Sequence, residues 1–311
     1  MSKPVVVLAG GTGGAKLARG LLDVVGPDEL VVVANTGDDI EIYGGYVSPD
    51  PDLVTFWLAD RIDERGWGLA GDSFHVMDGL RELGVEVWFN LGDRDLAIAL
   101  ERAKRLDAGA RLTDAHAAIS DALGVRARVL PMSDAPVRTR VRAQGRWWPF
   151  QEFMIKAGGA GPVQAVDFHG ARAAPATEQV DEAIATAKAI VIGPSNPIAS
   201  IGPILATAGI RDALQETRAP VVAVSPIVRG AVLKGPTAAF MQWAGQQPNS
   251  SGIAKIYEGV IDGLIADERM TAAGPIAMLE TDVLMDTPES RRKLAEQTLS
   301  FALGLPRRAH D

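Results

Sequence analysis

Two adjacent aspartates at the end of an apolar run repel one another and are costly to keep. Asn35-Thr36-Gly37-Asp38-Asp39 places such a pair directly after the run 30–34. A hard cation, or a hydroxyl awaiting deprotonation, would explain them. Asp50 and Asp52 follow in Ser48-Pro49-Asp50-Pro51-Asp52. Oxygen-only donors suit Mg²⁺, which takes one or two carboxylates together with substrate phosphates. Asp38, Asp39 and Asp50 are therefore the candidate catalytic groups, with Asn35 beside them. The same residues also suit Asx-turns, and Asp52 suits an N-cap for a helix starting near Leu53.

The glycine loop Gly10-Gly11-Thr12-Gly13-Gly14-Ala15-Lys16 is a candidate anion cradle, because glycines let backbone N–H groups approach a phosphate at a helix start. No Lys-Ser/Thr pair closes it as in a Walker A loop. The acid that a dinucleotide site carries at the end of the second strand is replaced by Asn35-Thr36. Gly11, Thr12, Gly13 and Lys16 are the candidate nucleotide contacts, and a tight turn without ligand is the plain alternative. Trp88-Phe89-Asn90-Leu91-Gly92-Asp93-Arg94-Asp95 is a further polar cluster, with Asn90, Asp93 and Arg94 as candidate contacts; Asp93 also suits a helix cap. Gly193-Pro194-Ser195-Asn196-Pro197 offers Ser195 and Asn196. Ser225-Pro226 offers Ser225, with Lys234 downstream as a counter-charge for phosphate. Phe150 and Phe153 flank Gln151 and are candidates to cover a flat ring. His75, His116, His169 and His310 form no ligand-spaced pair, which argues against zinc and against a Ser-His-Asp triad.

These groups need a scaffold, and the sequence points to one. Residues 5–8 are a continuous β-branched run, as in a strand buried on both faces. The glycine loop, a helix over residues 15–25 and a second strand over 30–34 follow. That order opens a doubly wound fold. Residues 35–52 carry too many Gly, Asp and Pro for regular structure and read as a long loop. Helices are expected over 53–62, 73–83, 96–106 and 113–123, and a third strand over 85–89. Residues 128–132, 137–143 and 148–155 alternate, suggesting antiparallel strands. The α/β pattern returns with a helix at 180–187, strands at 189–192 and 221–224, a short helix at 201–208 and a closing helix at 291–303. The expected fold is α/β: a Rossmann-like, doubly wound, mostly parallel sheet with an inserted helical and antiparallel β lobe. The 311 residues then form one catalytic unit, with a core at about 1–94 and 176–311 and a lobe at about 95–175.

A formal net charge of −8 argues against bulk nucleic-acid binding. The absence of Cys excludes disulfides and thiolate chemistry. No run approaches the roughly 20 apolar residues of a membrane span, and no signal-peptide pattern opens the chain. The expectation is a cytoplasmic protein without membrane or nucleic-acid partners.

Taken together, GGTGGAKLARGL, NTGDD, SPDPD, WFNLGDRDLA, PFQEF, IGPSNPIASIGPIL and VAVSPI with the later KGP resemble the CofD/FbiA family, the 2-phospho-L-lactate transferases of coenzyme F420 biosynthesis. The resemblance runs in the family's order over residues 8–236. It implies transfer of a phospho-acid from a guanosine-diphosphate-linked donor to the ribityl hydroxyl of the deazaflavin Fo, with GMP released, Mg²⁺ as cofactor and a homodimer as assembly. By the same resemblance Asp38 is a metal ligand, Asp50 lies near the metal and Fo, Gly11, Thr12 and Gly13 fall on the nucleotide side, and Ser195 and Asn196 match the guanine pocket. Phosphoenolpyruvate-, 2-phospholactate- and 3-phosphoglycerate-derived donors all fit the motifs. Asn90 stands where some relatives carry Lys, and Pro51 where relatives have an aliphatic residue. A YvcK-like protein that binds a nucleotide-sugar without turnover is the main rival; SPD after NTGDD and the LGDRD element favour the transferase. An NAD-dependent dehydrogenase is disfavoured by the missing acid.

Overall fold

The computed structural model describes residues 3–233, 235–269 and 276–306. The chain begins with β1 (Val5–Ala9), α1 (Gly11–Val25) and β2 (Leu30–Ala34), then a hairpin of β3 (Ile40–Ile42) and β4 (Gly45–Val47). Four helices follow, α2 (Pro49–Leu58), α3 (His75–Glu82), α4 (Asp93–Asp107) and α5 (Leu112–Ala122), leading to β5 (Arg128–Pro131). Next come β6 (Arg138–Ala143), β7 (Arg146–Pro149), α6 (Phe150–Ile155) and β8 (Ala165–His169). The remaining half contains α7 (Glu178–Thr186), β9 (Ala189–Ile192), α8 (Gly202–Ala206), α9 (Ile210–Glu216) and β10 (Val221–Val224). It ends with a ribbon of β11 (Ile227–Val228) and β12 (Ala231–Val232), then α10 (Thr237–Trp243), α11 (Ser250–Ile256), β13 (Gly263–Ala266), β14 (Ala277–Glu280) and α12 (Pro288–Gly304).

Seven strands form a central parallel sheet in the order β14-β13-β10-β9-β1-β2-β5. The chain runs outward from β1 to β5 and then restarts at β9 on the other side of β1. That reversal opens a crevice beyond the carboxyl ends of β1 and β9, where open α/β sheets hold their ligands. Burial on both faces explains the unbroken apolar runs. Val6 and Leu8 of β1 pack with α7, α8, α9 and α11, while Val5, Val7 and Ala9 pack with α1, α2 and α12. Each such buried Val or Leu contributes roughly 1.5–3 kcal/mol.

Six details differ from the sequence reading. Residues 35–52 are not wholly irregular. Tyr43 and Gly44 both have positive φ (52° and 79°) and make the two-residue turn of the β3–β4 hairpin; the usual Asn or Asp is replaced by Tyr, so the turn signal was hidden. Helix α2 begins at Pro49, because Pro49 and Pro51 lack only N–H groups that a first turn leaves unpaired. Residues 85–89 are not a strand: Val87 and Phe89 pack onto α3 and the hairpin without a ladder partner. Residues 128–131, expected in an antiparallel lobe, are β5 at the edge of the parallel sheet. The antiparallel sheet that does form is β7-β6-β8, and the stretch expected as one strand from Trp148 to Ile155 divides into β7 and α6. Strands β13 and β14 were not anticipated. No helix among the described residues is long and apolar enough to cross a membrane.

Candidate active site

The glycine loop leads straight from β1 into α1, so the helix's first N–H groups and the positive end of its dipole face the crevice. The loop lies hard against the turn after β9. A Cβ on Gly13 would meet the Pro194 carbonyl oxygen at 2.0 Å, so only glycine permits this approach. Ser195, on that turn, is buried and its hydroxyl has no protein partner.

The acidic cluster forms at the carboxyl end of β2. Asp38, Asp39 and Asp50 are each 6% exposed or less. Asp50, in the first turn of α2, accepts from the Gly11 N–H at 2.7 Å and from the Asn35 amide at 2.9 Å. Asn35 also accepts from the Gly37 N–H at 2.7 Å, which holds the NTGDD turn. The Ser48 hydroxyl donates to Asp39 at 2.8 Å. Other atoms of the cluster tell a different story: Asp38 Oδ1, Asp39 Oδ2 and Thr36 Oγ1 are buried without a hydrogen-bond partner among the described residues. Such groups are rare in folded proteins and call for an explanation. Burial, then the neighbouring Asp50, raises the Asp38 carboxyl well above the ordinary range. Burial pushes Asp39 to about 7, against the pull of Arg138 and Ser48, and pushes Asp50 to about 6 against the bonds from Asn35 and Gly11.

The site thus joins Gly11, Asn35, Asp38, Asp39 and Asp50, with Gly13 packed against the Ser195 turn. Other expected contacts have other employment. Asn196 accepts from the Ile198 and Ala199 N–H groups and shapes its own turn. Ser225 likewise closes a turn, accepting from the Ile227 N–H at 3.1 Å. Asn90 is exposed and accepts from Arg81 at 2.7 Å. Asp93 accepts from the Ser73 hydroxyl and from the N–H groups of His75 and Val76, capping α3. Arg94 is exposed, its N–H held by Asp72. Phe153 is fully buried, edge-on to Phe240, so its ring presents no face to a ligand. The Lys16 ammonium lies 5.7 Å from the centre of the Trp57 ring, and Thr12 is half-buried in the loop. Lys234 lies outside the described residues.

Sequence reasoning missed Tyr46, Ser48, Arg138 and Thr139. Arg138 and Thr139 come from β6, about a hundred residues beyond the cluster. Arg138 donates to the Tyr46 hydroxyl at 3.3 Å, and Tyr46 in turn supports Asp39. The Thr139 N–H donates to the Gly37 carbonyl at 2.7 Å, and its buried hydroxyl, without a partner, sits 2.6 Å from where a Gly37 Cβ would stand. Only the Gly37 position hinted at so close a neighbour.

Among the described residues no three His, Cys, Asp or Glu side chains converge to cage a metal. Asp38 Oδ1, unpartnered among the described residues, with the neighbouring Asp50, whose oxygens each keep a lone pair beside the bonds from Gly11 and Asn35, still fits Mg²⁺, which completes its shell with phosphate oxygens and water. A hollow of about 650 Å³ at the opposite, amino-terminal edge of the sheet is lined by Lys3, Lys188 and Arg218. Lys188 is paired there with Glu29, Asp181 and Glu216 share the lining, and the hollow contains none of the unpartnered buried atoms.

Fold and site together define an α/β protein with a glycine-loop crevice and a carboxylate cluster beside it. The chain belongs to the CofD family: the family model described as 2-phospho-L-lactate transferase CofD matches residues 5–297. It is 38% identical over 300 residues to a 2-phospho-L-lactate transferase of Methanosarcina mazei, covering 94% of this chain and 98% of that one. It is 41% identical over 316 residues to a phosphoenolpyruvate transferase of Kitasatospora aureofaciens, covering 96% and 97%. A crystal structure of a UPF0052 family protein from Bacillus halodurans shares the fold, with a TM-score of 0.63 at 18% identity, covering 96% of this chain and 99% of that one.

Proposed function

We propose that this chain moves a phospho-acid of the phospholactyl or phosphoenolpyruvyl type from a guanosine-diphosphate-linked donor to the ribityl hydroxyl of the deazaflavin Fo. The hydroxyl oxygen bonds to the phosphorus bearing the acid, the bond from that phosphorus to the GMP oxygen breaks, and GMP leaves with the electron pair. The products are GMP and the phosphodiester F420-0 or dehydro-F420-0.

One observation carries this reading. Asp50 accepts from the Gly11 N–H at the start of α1 and from Asn35 of the NTGDD turn, which brings the glycine loop next to the acids, so a phosphate bound on the loop would lie beside them. Phosphoryl transfer is mostly positioning and charge neutralisation. Asp38 and Asp50 would hold Mg²⁺, which when bound neutralises phosphate oxygens. Asp39, whose carboxyl sits near 7, is matched to take the hydroxyl proton at neutral pH. The first turn of α1 and the Ser195 turn receive the nucleotide.

The test mixes protein, Mg²⁺ and Fo with each guanylated donor, those built on 2-phospholactate, phosphoenolpyruvate and 3-phosphoglycerate. Mass spectrometry should find GMP and one phosphodiester. Stabilisation by a UDP-sugar with no product from any donor would overturn the proposal in favour of a binding protein.

A further inference from the structure

A buried ion pair lies behind the acidic cluster. Arg102 of α4 is fully buried and grips Asp52, two residues beyond Asp50 in the same turn of α2. The grip is a two-pronged fork: Nη1 donates to Asp52 Oδ2 at 3.1 Å and Nη2 donates to Oδ1. Nη1 also donates to the Tyr46 carbonyl on β4 at 2.9 Å. Burying two charges is expensive, and well-packed apolar residues usually stabilise a fold as well or better. This pair therefore calls for a role beyond stability.

Its connections suggest the role. Asp52 fixes the turn that aims Asp50 at the Gly11 N–H and the Asn35 amide. The Asp52 N–H donates to the Ser48 carbonyl, while the Ser48 hydroxyl holds Asp39. Tyr46, whose carbonyl Arg102 holds, meets Arg138 and Asp39 through its hydroxyl. One guanidinium thus ties down both flanks of the cluster, the α2 turn carrying Asp50 and the hairpin strand supporting Asp39. Its neighbour His116 contributes no second cation: burial and Arg102 lower that imidazole to about 3, and its Nε2 pairs with Thr55 at 3.1 Å.

We infer that Arg102 and Asp52 are positioning residues for the transfer reaction, forming a fork that holds the Asp50 and Asp39 carboxylates in register without touching substrate. The inference rests on the function proposed above. Its test combines Arg102→Met with Asp52→Asn, so that no buried charge is left unpaired. The double variant should keep the parent's circular dichroism and its GDP affinity within about threefold. Its kcat should fall by about tenfold or more with donor KM little changed, and its Mn²⁺ affinity should fall in parallel, because loosely held carboxylates bind and align less well. Arg102→Lys keeps the charge but cannot form the fork; it should show the same split more mildly, and it decides the matter if the double variant fails to fold. Parental kcat and Mn²⁺ affinity in a folded variant would overturn the inference. A parent that neither transfers nor binds Mn²⁺ would sink the functional reading instead. In that event a crystal structure of a variant decides the fork by itself: Asp50 displaced from the Gly11 N–H supports it, and Asp50 still bonded there overturns it.

Discussion

Two stretches of this chain look alike on paper and differ in the fold. Residues 35–52 and residues 90–95 both set aspartates close to glycine, after stretches that read as strands. In the second stretch the acids are spent on backbone. Asp93 caps α3, and Asp72 returns the favour by accepting from the Arg94 and Asp95 N–H groups at the start of α4. In the first stretch Asp38 and Asp39 each keep a buried oxygen without a hydrogen-bond partner among the described residues. Asp95 stands between the two cases: it is partly buried with one oxygen unpartnered, and burial beside Asp72 and Asp52 raises it to about 7. The lesson is one of accounting. An acid whose oxygens are filled by helix N–H groups is accounted for by the fold, whereas a buried acid with an oxygen unfilled calls for an explanation.

The comparison breaks most visibly at Asp38. Asp38→Asn should cut transfer by roughly 10²–10³-fold, the scale of losing one preorganised charge contact. Circular dichroism should be unchanged, because the lost charge packs nothing. The melting midpoint without divalent ion should rise slightly, since ionising this buried carboxyl opposes folding. Full turnover at limiting Mg²⁺ would make Asp38 a turn residue.

Asp93→Ala should do the reverse. Removing a cap from α3 should lower the melting midpoint by a few degrees, while turnover per folded molecule stays within about twofold. A large loss of kcat in folded protein would place Asp93 with the reacting groups and erase the contrast.

The smallest effect sharpens the same point through pH. Asp39 and Asp50 have folded pKa values near 7 and 6, above the ordinary 3.8. Between about pH 4 and 7 the folded chain therefore holds more protons than the unfolded one, and ligand-free stability declines as pH rises through that window. A divalent cation opposes this decline. The thermal shift produced by Mg²⁺ should be near zero at pH 5 and greatest above pH 7; a shift independent of pH would remove Asp50 from the proposed metal site.

Much of the fold was legible because the parallel strands are unbroken apolar runs, as 5–9, 30–34, 189–192 and 221–224 show. The acids and the glycine loop were legible as types at spacings, and their convergence at the carboxyl ends of β1 and β2 follows from the doubly wound topology. What escaped depends on long-range packing. Nothing local in Arg138 or Thr139 announces that β6 lies over Gly37, and a buried Arg102 looks in sequence like any helical arginine. Phe153 shows the opposite failure: an aromatic in a polar motif suggested a ring platform, yet the side chain fills the core under β6 and β7.

The most direct test of the account is Asp50→Ala, because Asp50 bonds both the glycine loop and the NTGDD turn. Calorimetric titration of GDP and single-turnover transfer to Fo should be measured on the same preparation. The account predicts GDP affinity within about threefold of the parent and transfer slowed by about 10²-fold or more at saturating donor. Collapsed GDP affinity with normal transfer at saturating donor would contradict it.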